Sequence, residues 1–251
     1  MTRRAWAGAV LVATVAGLGC RSAGATRPAV TPSPAASTLP ASIRWVRNSA
    51  EYRAAAIQAY RMATRRVDSV SASHRPGTWA VSLDGDETVL DNSQYMKERA
   101  EAHLGFTDES WREWVSRKAA TAVPGSAAFI RRVKEGGGAV VIVTNRDQAE
   151  CPDTEENLRA LQMAVDAVLC KPDQGPSNKE ARYASVAAGT ARPGLAPMEI
   201  VLWVGDNILD FPDLRQEMRG AGTEGAFIEF GNRFVILPNP MYGSWEKSPD
   251  E

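Results

Sequence analysis

Trp79-Ala80-Val81-Ser82-Leu83-Asp84-Gly85-Asp86-Glu87-Thr88-Val89-Leu90-Asp91-Asn92-Ser93 is the stretch on which the reading of this chain turns. Its apolar run, Trp79 to Leu83, stops abruptly at Asp84-Gly85-Asp86. A short apolar run bounded by turn residues suits a buried strand of a parallel sheet. Two carboxylates one residue apart at a strand exit repel each other, so a cation, a lysine or a raised pKa has to compensate them. A calcium loop starting at Asp84 fails on spacing, because the sixth position is Val89 instead of glycine and the twelfth is Tyr95 instead of glutamate. A solvated acidic turn is the competing reading of the stretch taken alone, and the choice rests on partners elsewhere.

Working outward, Ser42 to Ser73 reads as one helix, with Trp45, Tyr52, Ala56, Ala59, Tyr60 and Ala63 at helical spacing. After Ser93 comes a polar, helix-biased insert to about Val123 containing Trp111-Arg112-Glu113-Trp114. Pro124-Gly125 opens a helix to Lys134, closed by Gly136-Gly137-Gly138. Ala139 to Val143 is a second buried strand delivering Thr144-Asn145-Arg146. A helix near Asp153 to Gln162, capped by Asp153 or Thr154, precedes a strand at Val165 to Leu169. The loop Lys171 to Lys179 feeds a helix carrying Lys179 and Arg182. A strand at Glu199 to Val204 ends in Gly205-Asp206-Asn207-Ile208-Leu209-Asp210-Phe211, and Ala226 to Phe230 and Phe234 to Leu237 are expected as final strands. Alternating strands and helices predict an α/β fold with a mostly parallel sheet covered on both faces. In such sheets the strand exits share one edge, where ligands bind. That edge would gather Asp84, Asp86, Thr144, Lys179 and Asp206.

Composition narrows the chemistry. With 251 residues and 44% hydrophobic content the chain can bury one domain core plus a small insertion. A net charge of −1 without a long basic run argues against a nucleic-acid polymer or an anionic membrane surface as partner. The two histidines, His74 and His103, sit near no serine or cysteine nucleophile pattern, which excludes a histidine-based hydrolase and a multi-histidine metal site. Any chemistry must run on carboxylates. At the N-terminus, Arg3-Arg4, the apolar stretch Ala5 to Leu18 and Gly19-Cys20 read as an export signal over residues 1–20. A small residue before a cysteine resembles a bacterial lipoprotein signal with Cys20 lipidated, and an ordinary cleaved signal is the alternative. Residues 21–41, rich in Ala, Pro, Ser and Thr, read as a disordered linker to a domain spanning 42–251. Export leaves Cys151 and Cys170, for which both the paired and the free state are open.

A nucleophilic aspartate, a second aspartate as acid/base, a hydroxyl, a lysine and a metal-binding aspartate together suit phosphoryl transfer. The ordered set DGDET, strand-end Thr144, Lys179 and GDNILDF resembles the four motifs of the haloacid dehalogenase superfamily. More narrowly, LDGDETVLDNSQY, SWREWV, VTNR, TEENLRAL, NKEARY, GDNILDF and LPNPMYGSWE resemble the class C bacterial acid phosphatases, the lipoprotein e group of 5′-nucleotidases, from Trp45 to Glu246. That resemblance implies a Rossmann-like three-layer fold with a helical cap insertion at about 93–123. It implies Asp84 as nucleophile, Asp86 as acid/base and Mg²⁺ held by the Asp84 carboxylate, the Asp86 main-chain carbonyl and Asp206. Asp210 would orient a metal water or steady Lys179. Thr144 and Asn145 would bind phosphate oxygens, and Lys179 is preferred over Lys171 by its NKEAR context. Trp111, Trp114 or Tyr242 could stack a nucleobase of a nucleoside 5′-monophosphate. Gly85 stands where the group has a larger apolar residue, so looser packing is expected there.

The resulting expectation is an exported, Mg²⁺-dependent phosphomonoesterase acting on small phosphate monoesters through an aspartyl-phosphate. It would be bound to the bacterial outer membrane only through its lipid anchor, with a homo-oligomer as one assembly open to it. The rivals are a non-enzymatic ligand-binding surface lipoprotein and a phosphotransferase to an alcohol acceptor.

Overall fold

The computed structural model describes residues 39–220 and 224–249; the predicted export signal, Cys20 and the linker to residue 38 lie outside the described residues. In chain order the elements are α1 (Ala41–Asn48), α2 (Ala50–Ser71), β1 (Trp79–Leu83), β2 (Leu90–Asp91), α3 (Ser93–Glu101), α4 (Asp108–Ser116) and β3 (Thr121–Ala122). They continue with α5 (Ser126–Glu135), β4 (Ala139–Asp147), α6 (Cys151–Ala160), β5 (Ala167–Lys171), α7 (Glu180–Ala188), β6 (Glu199–Gly205) and β7 (Phe234–Ile236). Five strands form one parallel sheet in the order β5-β4-β1-β6-β7.

Alternation along the strands divides the core between the two faces. Val81, Leu83, Val140, Ile142 and Leu202 pack with residues of α2 and α5, among them Tyr60, Phe129 and Ile130. Ala80, Val141, Val143, Ile200 and Trp203 pack with Tyr183 and Val186 of α7. Both faces being covered explains why these strands read as unbroken apolar runs. Gly138 leaves room for the Trp79 ring, since a Cβ there would lie 2.3 Å from Trp79 Cη2. The segment 93–123 holds α3 and α4 and returns on β3, antiparallel to β2.

Three sequence expectations are corrected. The helix from Ser42 to Ser73 is broken at Ser49, whose backbone is extended at φ −97°, ψ 143°. The Ser49 hydroxyl donates to Trp45 O at 2.6 Å and accepts from Tyr52 N at 3.0 Å, so a serine that favours caps over helix interiors splits the helix. The helix expected from Asp153 starts at Cys151, with Pro152 in the first turn and no cap from Asp153 or Thr154. Ala226 to Phe230 is not a strand: Glu224–Phe227 forms a 3-10 turn, and Phe234 N turns back onto Glu229 O at 2.9 Å. Gly231 there has φ 87°, which bends the chain away from extension.

Cys151 and Cys170 form a disulfide, with Cα atoms 6.0 Å apart, joining the start of α6 to the end of β5. Closing a loop of 19 residues removes about 3 kcal/mol of unfolded-state entropy. Cys151→Ser is therefore expected to lower Tm by roughly 6–12 °C, as is reduction of the wild type. Calorimetry with and without a reductant checks this, and an unchanged melt would show that the bond does not constrain the unfolded chain. Among the described residues no helix is long and apolar enough to cross a membrane.

Candidate active site

The residues gathered by the sheet edge sit where elements end. Asp84 follows β1, and its amide donates to Val204 O at 2.9 Å. The chain then wraps the Gly85 carbonyl, which accepts from Val89 N at 3.0 Å and Leu90 N at 2.8 Å. Glu87 takes a left-handed φ of 54° within this turn, and Tyr60 Oη donates to Thr88 O at 2.6 Å, pinning the turn to α2. Gly85 does not loosen the packing as expected. A Cβ there would stand 3.0 Å from Thr144 Oγ1 and 3.1 Å from Thr144 Cβ, so the fully buried threonine occupies that space.

Lys179 caps the start of α7, where the helix dipole opposes a positive charge. Its ammonium is nonetheless buried and bonds Asp84 Oδ1 and, at 2.7 Å, Asp210 Oδ1. Burial opposes this charge, but Asp210 and Asp84 outweigh it and hold Lys179 above its ordinary pKa. Lys171 pairs with Asp147 at 2.8 Å instead. Asp210 folds back over Gly205, where a Cβ would come 2.4 Å from the Asp210 Cβ, and its Oδ2 accepts from Asn207 N at 2.9 Å. Asp206 accepts from Thr88 Oγ1 at 3.2 Å and from Asn239 Nδ2 at 2.8 Å.

Asp84, Asp206 and Asp210 each offer a ligand atom, all within 4.8 Å of one another. One lysine does not balance them. Burial pushes Asp84 up to about 7 against the pull of Lys179, and burial with Asp210 and Asp84 beside it pushes Asp206 well above the usual carboxylate range. Clustered oxygen donors, Asp210 buried and Asp84 and Asp206 half-buried, with surplus negative charge fit a hard divalent cation.

Asp86 faces the other way. Its Oδ1 accepts from Arg146 Nη2 at 2.7 Å and from Asn92 Nδ2 at 2.8 Å. Asn92 N in turn donates to the buried Glu87 Oε1 at 2.8 Å. Asn145 is exposed at the rim, its Oδ1 accepting from Arg182 Nη2 at 2.7 Å, and Arg182 also donates to Thr144 O. A cavity of about 520 Å³ opens over Asp84, Asp86, Asn145, Lys179 and Asp206, with Trp111 and Tyr242 on its wall. Trp114 is buried, and its Nε1 donates to Asn92 Oδ1 at 2.8 Å, so it is packing and cannot stack a ligand. Sequence reasoning gave no role to Arg146, Asn92, Glu87 or Asn239. All four lie in the quoted motifs VTNR, LDNS, DGDET and LPNP, which was the available signal.

Among known proteins, a family model described as HAD superfamily, subfamily IIIB (acid phosphatase), matches residues 11–245. Two solved structures of class C acid phosphatase from Bacillus anthracis, one with tungstate bound, share the fold. Each has a TM-score of 0.72 and 28% sequence identity, covering 82% of this chain and 85% of theirs. With the parallel sheet and its carboxylate-lined edge in place, the match decides the family. The chain belongs to subfamily IIIB of the HAD superfamily and is an acid phosphatase, a phosphoric monoester hydrolase.

Proposed function

We propose that this acid phosphatase is an exported, Mg²⁺-dependent enzyme that hydrolyses phosphate monoesters, nucleoside 5′-monophosphates among them, through an aspartyl-phosphate on Asp84. The observation that carries this reading is Lys179, buried between Asp84 and Asp210 with Asp206 beside them. Lys179 holds the Asp84 carboxylate in one orientation and offers positive charge to the incoming phosphate. Asp210 steadies Lys179 from the far side. Thr144 Oγ1 and the Asn145 backbone N–H receive the non-bridging oxygens. Asp86 protonates the leaving oxygen and then takes a proton from the water that hydrolyses the aspartyl-phosphate. Mg²⁺ would be held by the Asp84 and Asp206 carboxylates and the Asp86 main-chain carbonyl, and when bound it supplies charge against the phosphate oxygens.

The substrate reading is supported by Trp111 and Tyr242, half-buried on the wall of the cavity that contains Asp84. Export is supported by the Cys151–Cys170 disulfide, since such bonds persist in oxidising compartments. Lipidation at Cys20 and attachment to the outer membrane extend that proposal.

Two readouts test the metal. Phosphate release from 5′-nucleotides is expected to vanish in EDTA and return with Mg²⁺. Mg²⁺ at a hundredfold excess over its Kd is expected to stabilise the protein by about 2.7 kcal/mol, or roughly 5–11 °C in Tm. Full activity in EDTA, or a melt insensitive to Mg²⁺, would contradict this site.

A further inference from the structure

Asp86 is held by a clamp. Its Oδ1 accepts from Arg146 Nη2 at 2.7 Å, Asn92 Nδ2 at 2.8 Å and Arg146 Nε at 3.1 Å, whereas Oδ2 has only the longer contact to Arg146 Nε at 3.2 Å. A carboxylate oxygen has two lone pairs, so Oδ1 is saturated and Oδ2 is the atom left able to carry a proton. The clamp is itself fixed. Arg146 Nη1 donates to Thr154 Oγ1 at 3.0 Å, Nη2 reaches Asn92 Oδ1 at 3.3 Å, and the guanidinium lies 5.5 Å from the Trp111 ring centroid. Asn92 Oδ1 is oriented by Trp114 Nε1 at 2.8 Å, which sets its amide so that Nδ2 points at Asp86.

Arg146 reaches the wall of the cavity, but its guanidinium fork is turned to Asp86. Its side chain is 1% exposed. Nε, one N–H of Nη1 and both of Nη2 are already committed to Asp86, Thr154 and Asn92. Burial opposes its charge, and Asp86 outweighs burial. An arginine buried at the cost of desolvation, with its fork spent on one carboxylate, is a device for fixing that carboxylate's direction.

We propose that Arg146 is a positioning residue for the reaction: together with Asn92 it fixes the Asp86 carboxylate so that Oδ2, and not Oδ1, exchanges the proton with the leaving group. As the bond between phosphorus and the ester oxygen breaks, its electron pair goes to that oxygen, which takes the proton from Asp86 Oδ2. The same Oδ2 then takes a proton from the water that attacks the aspartyl-phosphate, restoring the starting state. Trp111, resting on the guanidinium, ties the wall of the cavity to this proton donor. The inference rests on the assignment of Asp86 as acid/base given above.

The test compares kcat/KM, which reports only steps up to leaving-group departure, for an alkyl phosphate and for p-nitrophenyl phosphate, whose leaving group needs no proton. Arg146→Met is measured beside Arg146→Lys, which keeps the buried charge but not the fork and so guards against misfolding. Both variants are expected to lose on the order of 10²-fold on the alkyl ester, within the range of general acid catalysis, and less than about 10-fold on p-nitrophenyl phosphate. Inhibition by inorganic phosphate is expected to stay near wild type. Equal losses on both esters would overturn the proposal, whether they come with a lowered Tm (a structural role) or with lost phosphate inhibition (a phosphate contact). Asp86→Asn separates the underlying reading: if it keeps wild-type kcat/KM on the alkyl ester, Asp86 is not the acid, and that assignment fails independently of Arg146.

Discussion

Asp84→Asn is expected to abolish phosphate release, with kcat falling on the order of 10⁴-fold or more, as when a covalent nucleophile is removed. The substitution keeps shape and takes away only the attacking oxygen's charge. Its effect on stability is expected to have the opposite sense. In the metal-free protein burial pushes Asp84 from the usual carboxylate range up to about 7. A carboxyl whose folded pKa is raised contributes stability that is full below its unfolded pKa and is lost as pH rises through the folded one. Metal-free wild type should therefore lose stability between about pH 4 and pH 7, and Asp84→Asn should lose less. Melts across that range alongside an activity assay check both halves. Activity within tenfold of wild type would place the nucleophile elsewhere.

Lys179→Met is expected to cost both activity and fold. Removing one partner of a buried ion pair typically destabilises by about 3–5 kcal/mol. Here Lys179 is the ammonium bonded to both Asp84 and Asp210, with Asp206 close by. Without it the carboxylates take up protons or repel one another. Mg²⁺ should restore part of the lost stability by replacing the missing charge, yet kcat should stay at least about 10²-fold down, because Asp84 is no longer held in line. Urea titrations with and without Mg²⁺ separate the two effects. A variant as stable as wild type without metal would mean that the carboxylates do not depend on this lysine for compensation.

The strands and the sheet edge were legible because parallel strands buried on both faces leave continuous apolar runs, and charged residues at their exits stand out against them. Asp84 and Asp206, directly after β1 and β6, stood out for that reason, whereas Lys179, at the start of α7, was picked out by its NKEAR context. The break at Ser49 was not, because its cause is a hydroxyl that bonds Trp45 O and Tyr52 N, and apolar spacing continues through it. Ala226 to Phe230 has the composition of a strand, but its pairing stops at an isolated bridge from Phe230 to Phe234. Which of the paired tryptophans faces the cavity depends on how α4 is rotated: Trp111 reaches the wall, while Trp114 turns inward to Asn92. Gly85 was misjudged as a gap because its space is filled by Thr144, 59 residues later in the chain. The Arg146–Asp86 clamp is likewise a contact across 60 residues, invisible to local pattern.

Chemical trapping addresses the nucleophile directly. Borohydride added during turnover of a phosphate monoester reduces an aspartyl-phosphate to homoserine, and peptide mass spectrometry locates it. Homoserine at position 84, absent without substrate and absent in Asp84→Asn, is the expected result. Homoserine at another aspartate, or none anywhere while phosphate is being released, would contradict attack by Asp84.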